Sequence, residues 1–315
     1  MTTLESPLAD TVDLRDQPVS KLGDRIFGGL SKGAGVMILV TLAAVAVFLI
    51  ARARPALFTD VHDQNFFAYV GPLVFGTLLA ALLALLIATP VAVAVALYIT
   101  HYAPKALAQT LGYFVDLLAA IPSVVYGLWG ITVFAPVVSR DVYPFLNDYF
   151  SWLPFFSGTA STSGRTMLTV AFVLAVMILP IITAISREVF RQTPRLHEEA
   201  SLALGATRWE MIRQAVLPYG RSGVISGAML GLGRALGETM AVAIILSPAN
   251  GYFWSLITNQ NSNTIAANIA LKFPESTGIE INRLVATGLV LFVITFGVNA
   301  LARRIANTGF NGAEG

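Results

Sequence analysis

The sequence predicts an all-α membrane protein of six transmembrane helices, and three observations carry that expectation. Hydrophobic residues make up 56% of the 315 and charged residues only 12%, about half the charge of a typical soluble chain. Six apolar runs, joined by polar links, approach or exceed the length that crosses a bilayer. Of the 20 Lys and Arg, thirteen fall on the side of the N-terminus and six on the other, which makes the N-terminal side cytoplasmic. The remaining one, Arg234, lies inside an apolar run.

The same reading excludes several chemistries. There is no cysteine, so disulfides, thiolate zinc sites and cysteine nucleophiles are out. No Gly-x-x-x-x-Gly-Lys-Ser/Thr loop, His-Glu-x-x-His or Gly-x-Ser-x-Gly occurs. His62, His101 and His197 are scattered and suggest no metal site.

Residues 1–33 form a polar N-terminal tail of mixed charge, within which 19–30 alternate apolar and charged groups and suit the inner membrane face. The first run, 34–50, resembles a signal peptide in length, but the long polar leader and the acidic residues in it favour an uncleaved helix. The second, 70–99, spans with tilt and a kink at Pro90. The third, 111–137, contains Asp116, read as facing headgroups or another subunit, and Pro122. Residues 140–165 read as an irregular outer loop whose aromatics form an interfacial belt. The fourth run is 167–185, the fifth 223–246 and the sixth 284–301; 250–283 is a second outer loop, with a short helix expected at 265–273. The permease domain then covers 34–305, and 306–315 form a second cytoplasmic tail.

Between the fourth and fifth runs lies the longest polar stretch, 194–218. Thr193 suits an N-cap and Pro194 the first helical position. The first helix should stop at Gly205, and Thr207 with Glu210 forms a capping box for a second helix that ends before Pro218. Charges (Glu198, Glu199, Arg208, Glu210, Arg213) alternate with Leu202, Leu204, Trp209 and Met211. Exposed apolar groups of this size call for a covering partner or for the membrane surface.

Glu199, Ala200 and Ser201, then Gly205 six residues after Glu199, then Leu217 and Pro218, resemble the EAA–G–LP loop of ABC importer permeases. Ala215 departs mildly from the Ile usual there. The stretches 121–130 and 233–242 resemble the phosphate-specific (Pst) permeases, C subunit, and the likeness covers 67–305. It implies a type I ABC importer permease fold in the bacterial plasma membrane, with both termini cytoplasmic, translocating inorganic phosphate by alternating access. It assigns ATPase coupling to Glu198, Glu199, Ala200, Gly205, Leu217 and Pro218. The chain itself would need no cofactor, since ATP is used by an ATPase subunit dimer (PstB-like). A second permease (PstA-like) and an extracytoplasmic phosphate-binding protein (PstS-like) complete the assembly in membrane lipid, without nucleic acid. An oxyanion such as sulfate or molybdate is the alternative substrate, and a stand-alone secondary transporter the alternative class.

Arg234 and Glu238 sit within the fifth run, where an isolated charge costs several kcal/mol. Their spacing of four puts them on one helix face. A guanidinium offers charge and donors in a planar fork, which suits phosphate; the bland reading is a structural ion pair. Ser123 and Thr239 complete the expected substrate pathway, with Tyr126 a further hydroxyl donor. Pro122 next to Ser123 reads first as a packing kink. Gly223, Gly227, Gly231, Gly233 and Gly237 read as a close-packing face.

Overall fold

The structure, a computed structural model, describes residues 22–59 and 64–308. Two compact units divide the chain, 1–48 and 49–315. The described part of the first is helical throughout and belongs to α1 (Leu22–Phe58). Residues 22–33, expected as tail, are therefore helical. Leu22, Ile26, Phe27 and Leu30 recur at helical spacing and extend the apolar pattern backwards. Residues 1–21 and 309–315 of the expected tails lie outside the described residues.

In the second unit α2 (Phe66–Leu97) starts from an Asn65 cap, whose side chain accepts from Ala68 N at 2.8 Å. One face carries Ala80, Ala84, Ala88, Ala92 and Ala96, all buried. Small residues every fourth position let α7 (Met167–Arg191) lie close, and Thr183 Oγ1 donates to Ala92 O at 3.5 Å. α7 is the central helix: 61% of its most apolar window is buried, against 28% for α2.

The third expected span is two pieces. α3 (Lys105–Ala119) ends before Pro122, and α4 (Ser123–Trp129) starts after it. From α4 the chain stays helical through α5 (Ala135–Val137) and α6 (Tyr143–Phe150), so the first part of the expected outer loop is helix instead. The polar stretch 194–218, expected to dock a partner, gives α8 (Arg195–Ala203) and α9 (Arg208–Met211). The second of these does not end before Pro218: it runs on through a wide turn into α10 (Leu217–Leu236).

These continuations share a cause. Each of the four π turns among the described residues, Tyr98–Tyr102, Gly130–Phe134, Val138–Val142 and Ile212–Val216, is followed two residues later by a proline; at Pro104 the helix ends, and past Pro136, Pro144 and Pro218 it continues. Proline has no N–H, and its ring clashes with the carbonyl four residues back. A turn bonded to the fifth residue back widens the helix there, as in Leu217 N donating to Ile212 O. Proline then falls in a first turn, where no donor is needed.

Five described helices are long and apolar enough to cross a membrane. The remaining expected span, 223–246, is α10 followed by α11 (Met240–Ile245), interrupted at Gly237–Thr239. The short helix expected in the second outer loop is α12 (Ile265–Lys272), and α13 (Ile279–Thr308) closes the described chain. Asn261 ties this end together. Its Nδ2 donates to the carbonyls of Arg165, Ser247 and Thr258, and its Oδ1 accepts from Met167 N at 2.9 Å.

Candidate functional site

The site forms where two helices are interrupted side by side. α10 is pressed onto α7 through its glycines: a Cβ on Gly227 would stand 3.2 Å from Ile185 Cβ, and one on Gly231 3.1 Å from Ile182. The close-packing reading of that face holds for Gly223, Gly227 and Gly231; Gly233 has nothing within 4 Å. α11 is pressed onto α4 in the same way, since a Cβ on Gly127 would lie 2.9 Å from Ala241 Cα. Packing α4 against α11 brings the break before Ser123 near the break before Met240.

Arg234 stands in the last turn of α10, half-buried, and its Nε is buried without a hydrogen-bond partner among the described residues. Glu238 is 8% exposed, and its Oε1 accepts from Ala241 N at 3.0 Å, capping α11. The expectation that Arg234 and Glu238 share one helix face is corrected: Gly237 caps α10, so Glu238 lies beyond the helix. The two form no ion pair in this structure. The carboxylate takes one amide of the first turn of α11, that of Ala241, instead, where the helix dipole favours negative charge. Thr239 lies in the same break, its Oγ1 donating to Gly237 O at 3.0 Å. Ser123 is the first residue of α4 and half-buried.

Tyr126 is not free to donate to a passing anion. Its hydroxyl donates to Leu118 O at 2.8 Å. Leu118 is four residues before Pro122, so its carbonyl is the one that the missing proline N–H leaves open. Asp116 does not face headgroups alone. Arg187 Nη2 lies 3.1 and 3.3 Å from its two oxygens, and the absence of a Cβ on Gly112 leaves room for that guanidinium. Among the described residues no cluster of metal-binding side chains occurs.

None of the residues of α8 is buried, and Leu204, at its end, is 90% exposed. Pro194 takes the cap position itself, one place earlier than expected, and Thr193 caps nothing: its Oγ1 is buried and unbonded. Gly205 has φ +88°, a left-handed conformation that side chains resist. The capping box is complete: Thr207 N donates to Glu210 Oε2 at 2.8 Å, and Glu210 N donates to Thr207 Oγ1 at 3.3 Å. Two hydrogen bonds from Thr207 and its amide hold the Glu210 carboxyl below its ordinary range. Ala200, Leu204 and Pro218 line one groove of about 820 Å³, while Glu199 points to solvent and Leu217 begins α10. Glu198 instead turns towards His101, 3.6 Å away.

Comparison with known proteins agrees with this arrangement. Residues 88–308 match the family model described as the binding-protein-dependent transport system inner membrane component. The phosphate transport system permease protein PstC 2 of Mycobacterium tuberculosis is 46% identical, covering 98% of each chain. The phosphate transport system permease protein PstC of Mesorhizobium japonicum is 37% identical, covering 96% of each. Among solved structures, a bacterial alginate ABC transporter in complex with an alginate pentasaccharide-bound periplasmic protein shares the fold, with TM-score 0.58 at 17% identity over 91% of this chain and 96% of that one. With several apolar spans, a polar segment that turns at a left-handed Gly205 and relatives of this closeness, the chain belongs to the family of binding-protein-dependent transport inner membrane components, among its PstC permeases.

Proposed function

We propose that this chain is the permease subunit of an ATP-driven importer that carries inorganic phosphate through the bacterial plasma membrane by alternating access. The observation that carries it is Arg234: a guanidinium within an apolar span, with a buried Nε that nothing satisfies. An unpaired charge at that depth is costly. A phosphate answers both the charge and the donor, through charge-assisted hydrogen bonds. Glu238, held on α11, supplies a fixed negative charge nearby that keeps the anion from binding too tightly. Ser123 and Thr239, at the starts of α4 and α11, are the remaining polar groups on the pathway. The relatives named for phosphate transport support this substrate over sulfate or molybdate.

In this reading the segment 194–218 lies in the cytosol with both termini, as the distribution of Lys and Arg supports. Two ATPase subunits press on it through Glu198, Glu199, Ala200, Gly205, Leu217 and Pro218. ATP is used there, and the chain itself needs no cofactor. A second, similar permease completes the pore, and an extracytoplasmic binding protein delivers phosphate to the opposite mouth.

The test is ATP-driven uptake of labelled phosphate by the assembled complex, wild type against Arg234→Gln, with sulfate and molybdate as competitors. The proposal expects uptake to fall by about tenfold or more, the scale on which losing one charged hydrogen bond acts. Full uptake by an assembled Arg234→Gln complex overturns the site. Wild-type uptake that sulfate or molybdate abolishes overturns the substrate, and uptake without ATP overturns the class.

A further inference from the structure

His101 stands outside the site and outside the motifs of the docking segment, yet it faces Glu198 of that segment. It lies in the π turn Tyr98–Tyr102 that ends α2, and its side chain is 10% exposed. Its Nδ1 is 2.6 Å from Thr100 Oγ1, and that hydroxyl also donates to Ala96 O at 2.8 Å. The hydroxyl has one proton. With that proton on Ala96 O, the imidazole N–H is the donor in the shorter contact, and the ring is fixed. Nε2 is thereby aimed at Glu198 Oε1, 3.6 Å away, an ion pair when the ring carries its second proton.

Little else holds α8. None of its residues is buried. Its other polar side-chain contact, Ser201 to Gln214 at 3.4 Å, stays within the docking segment. Among the described residues, His101 is thus the polar tie between α8 and a membrane-spanning helix.

The helix it ties to is 32 residues long. α2 packs along α7 by its alanine face. At its far end, Thr77 Oγ1 accepts from Ile265 N, the first residue of α12, at 2.9 Å, and Tyr69 OH accepts from Asn268 at 2.7 Å. A Cβ on Gly76 would collide with the carbonyls of Ser262 and Asn263. One continuous helix, with Pro72 and Pro90 inside it, therefore touches α8 at one end and α12 at the other.

We propose that His101 is a positioning residue for energy coupling: through Glu198 it makes α8 and α2 move as one body, so that force applied to the docking segment reaches the opposite mouth. This rests on the permease function proposed above, and the experiment separates the two.

The chain has no native cysteine, so introduced ones label uniquely. Spin labels on Leu204→Cys, at the end of α8, and Leu86→Cys, on the exposed face of α2, report their separation in the assembled complex. The proposal expects that distance to stay fixed when ATP is added to the wild type and to change in His101→Ala and Glu198→Ala. In parallel, phosphate moved per ATP falls about fivefold in each single variant, the low end of coupling between linked sites. It falls no further in the double variant, and His101→Arg restores it. A distance that responds to ATP alike in wild type and variants, or single effects that multiply in the double, overturns the proposal. The distance measurement needs no transported anion, so a wrong substrate assignment and a wrong linkage give different results.

Discussion

The Tyr126 hydroxyl donates to the Leu118 carbonyl at 2.8 Å, bridging the break at Pro122. It is the interaction that lets α3 stop and α4 begin without leaving a bare acceptor in the membrane interior. Ile121 N also approaches that oxygen, at the longer distance of 3.3 Å. Tyr126→Phe removes the stronger donor and keeps the ring. We expect a loss of about 1 kcal/mol, the scale of a hydrogen bond inside a membrane protein, read as a lower unfolding midpoint in detergent. Uptake should slow as well, because the break positions Ser123. An unchanged midpoint would show that the carbonyl needs no second donor.

Glu238 carries two separable roles, a cap and a charge. Glu238→Gln retains a carbonyl oxygen for Ala241 N, which now bonds the carboxylate at 3.0 Å. Glu238→Ala removes cap and charge together, and loss of a cap costs about 1 kcal/mol. The expected pattern is normal stability with tighter phosphate binding and slower turnover in Glu238→Gln, and reduced stability in Glu238→Ala only. Equal stability of the two variants would exclude the cap, and unchanged uptake kinetics in Glu238→Gln would exclude the charge.

The features legible in the sequence are the local ones. The capping box of Thr207 and Glu210, the left-handed Gly205 and the helix at 265–273 each depend on a few neighbouring residues, and each appears within a residue or so of its expected place. The two interruptions needed more. Pro122 marks the first, but the second has no proline, and the close approach of Ala241 to Gly127 beside it is a contact between positions far apart in the chain. That break moves Glu238 off the face of Arg234, which spacing alone cannot reveal. The helical continuations past Pro136, Pro144 and Pro218 were hidden because proline reads as a stop unless a wide turn precedes it. Asn261, with four partners, carries no motif at all.

The glycines of α10 give a paired test of which face is already covered. A Cβ on Gly223 would collide with the Val189 side chain, whereas one on Gly233 meets nothing within 4 Å. Gly223→Ala should destabilise the isolated chain by about 1–3 kcal/mol through overpacking. Gly233→Ala should leave it unchanged or raise stability by about 0.5–1 kcal/mol, since alanine suits a helix better. Thermal unfolding of both in detergent decides this. If Gly233→Ala also blocks assembly with a second permease, its open face is the one that the second subunit covers.

The capping box makes one end of the docking segment sensitive to acid. Hydrogen bonds from the Thr207 amide and hydroxyl hold the Glu210 carboxyl below its ordinary range. A native value below the unfolded one means that the ionised form binds the fold more tightly. Its contribution is complete above the unfolded value, hence at neutral pH, and is lost as pH falls through the lowered native value. Hydrogen exchange at the Thr207 and Glu210 amides should therefore quicken, beyond the intrinsic pH trend, on acidification through that window. Glu210→Gln preserves the box, because a glutamine oxygen still accepts from the Thr207 amide, but removes the titration. Its exchange should follow the intrinsic trend alone. If the variant and the wild type show the same excess, the acid response comes from another group and the box does not set it.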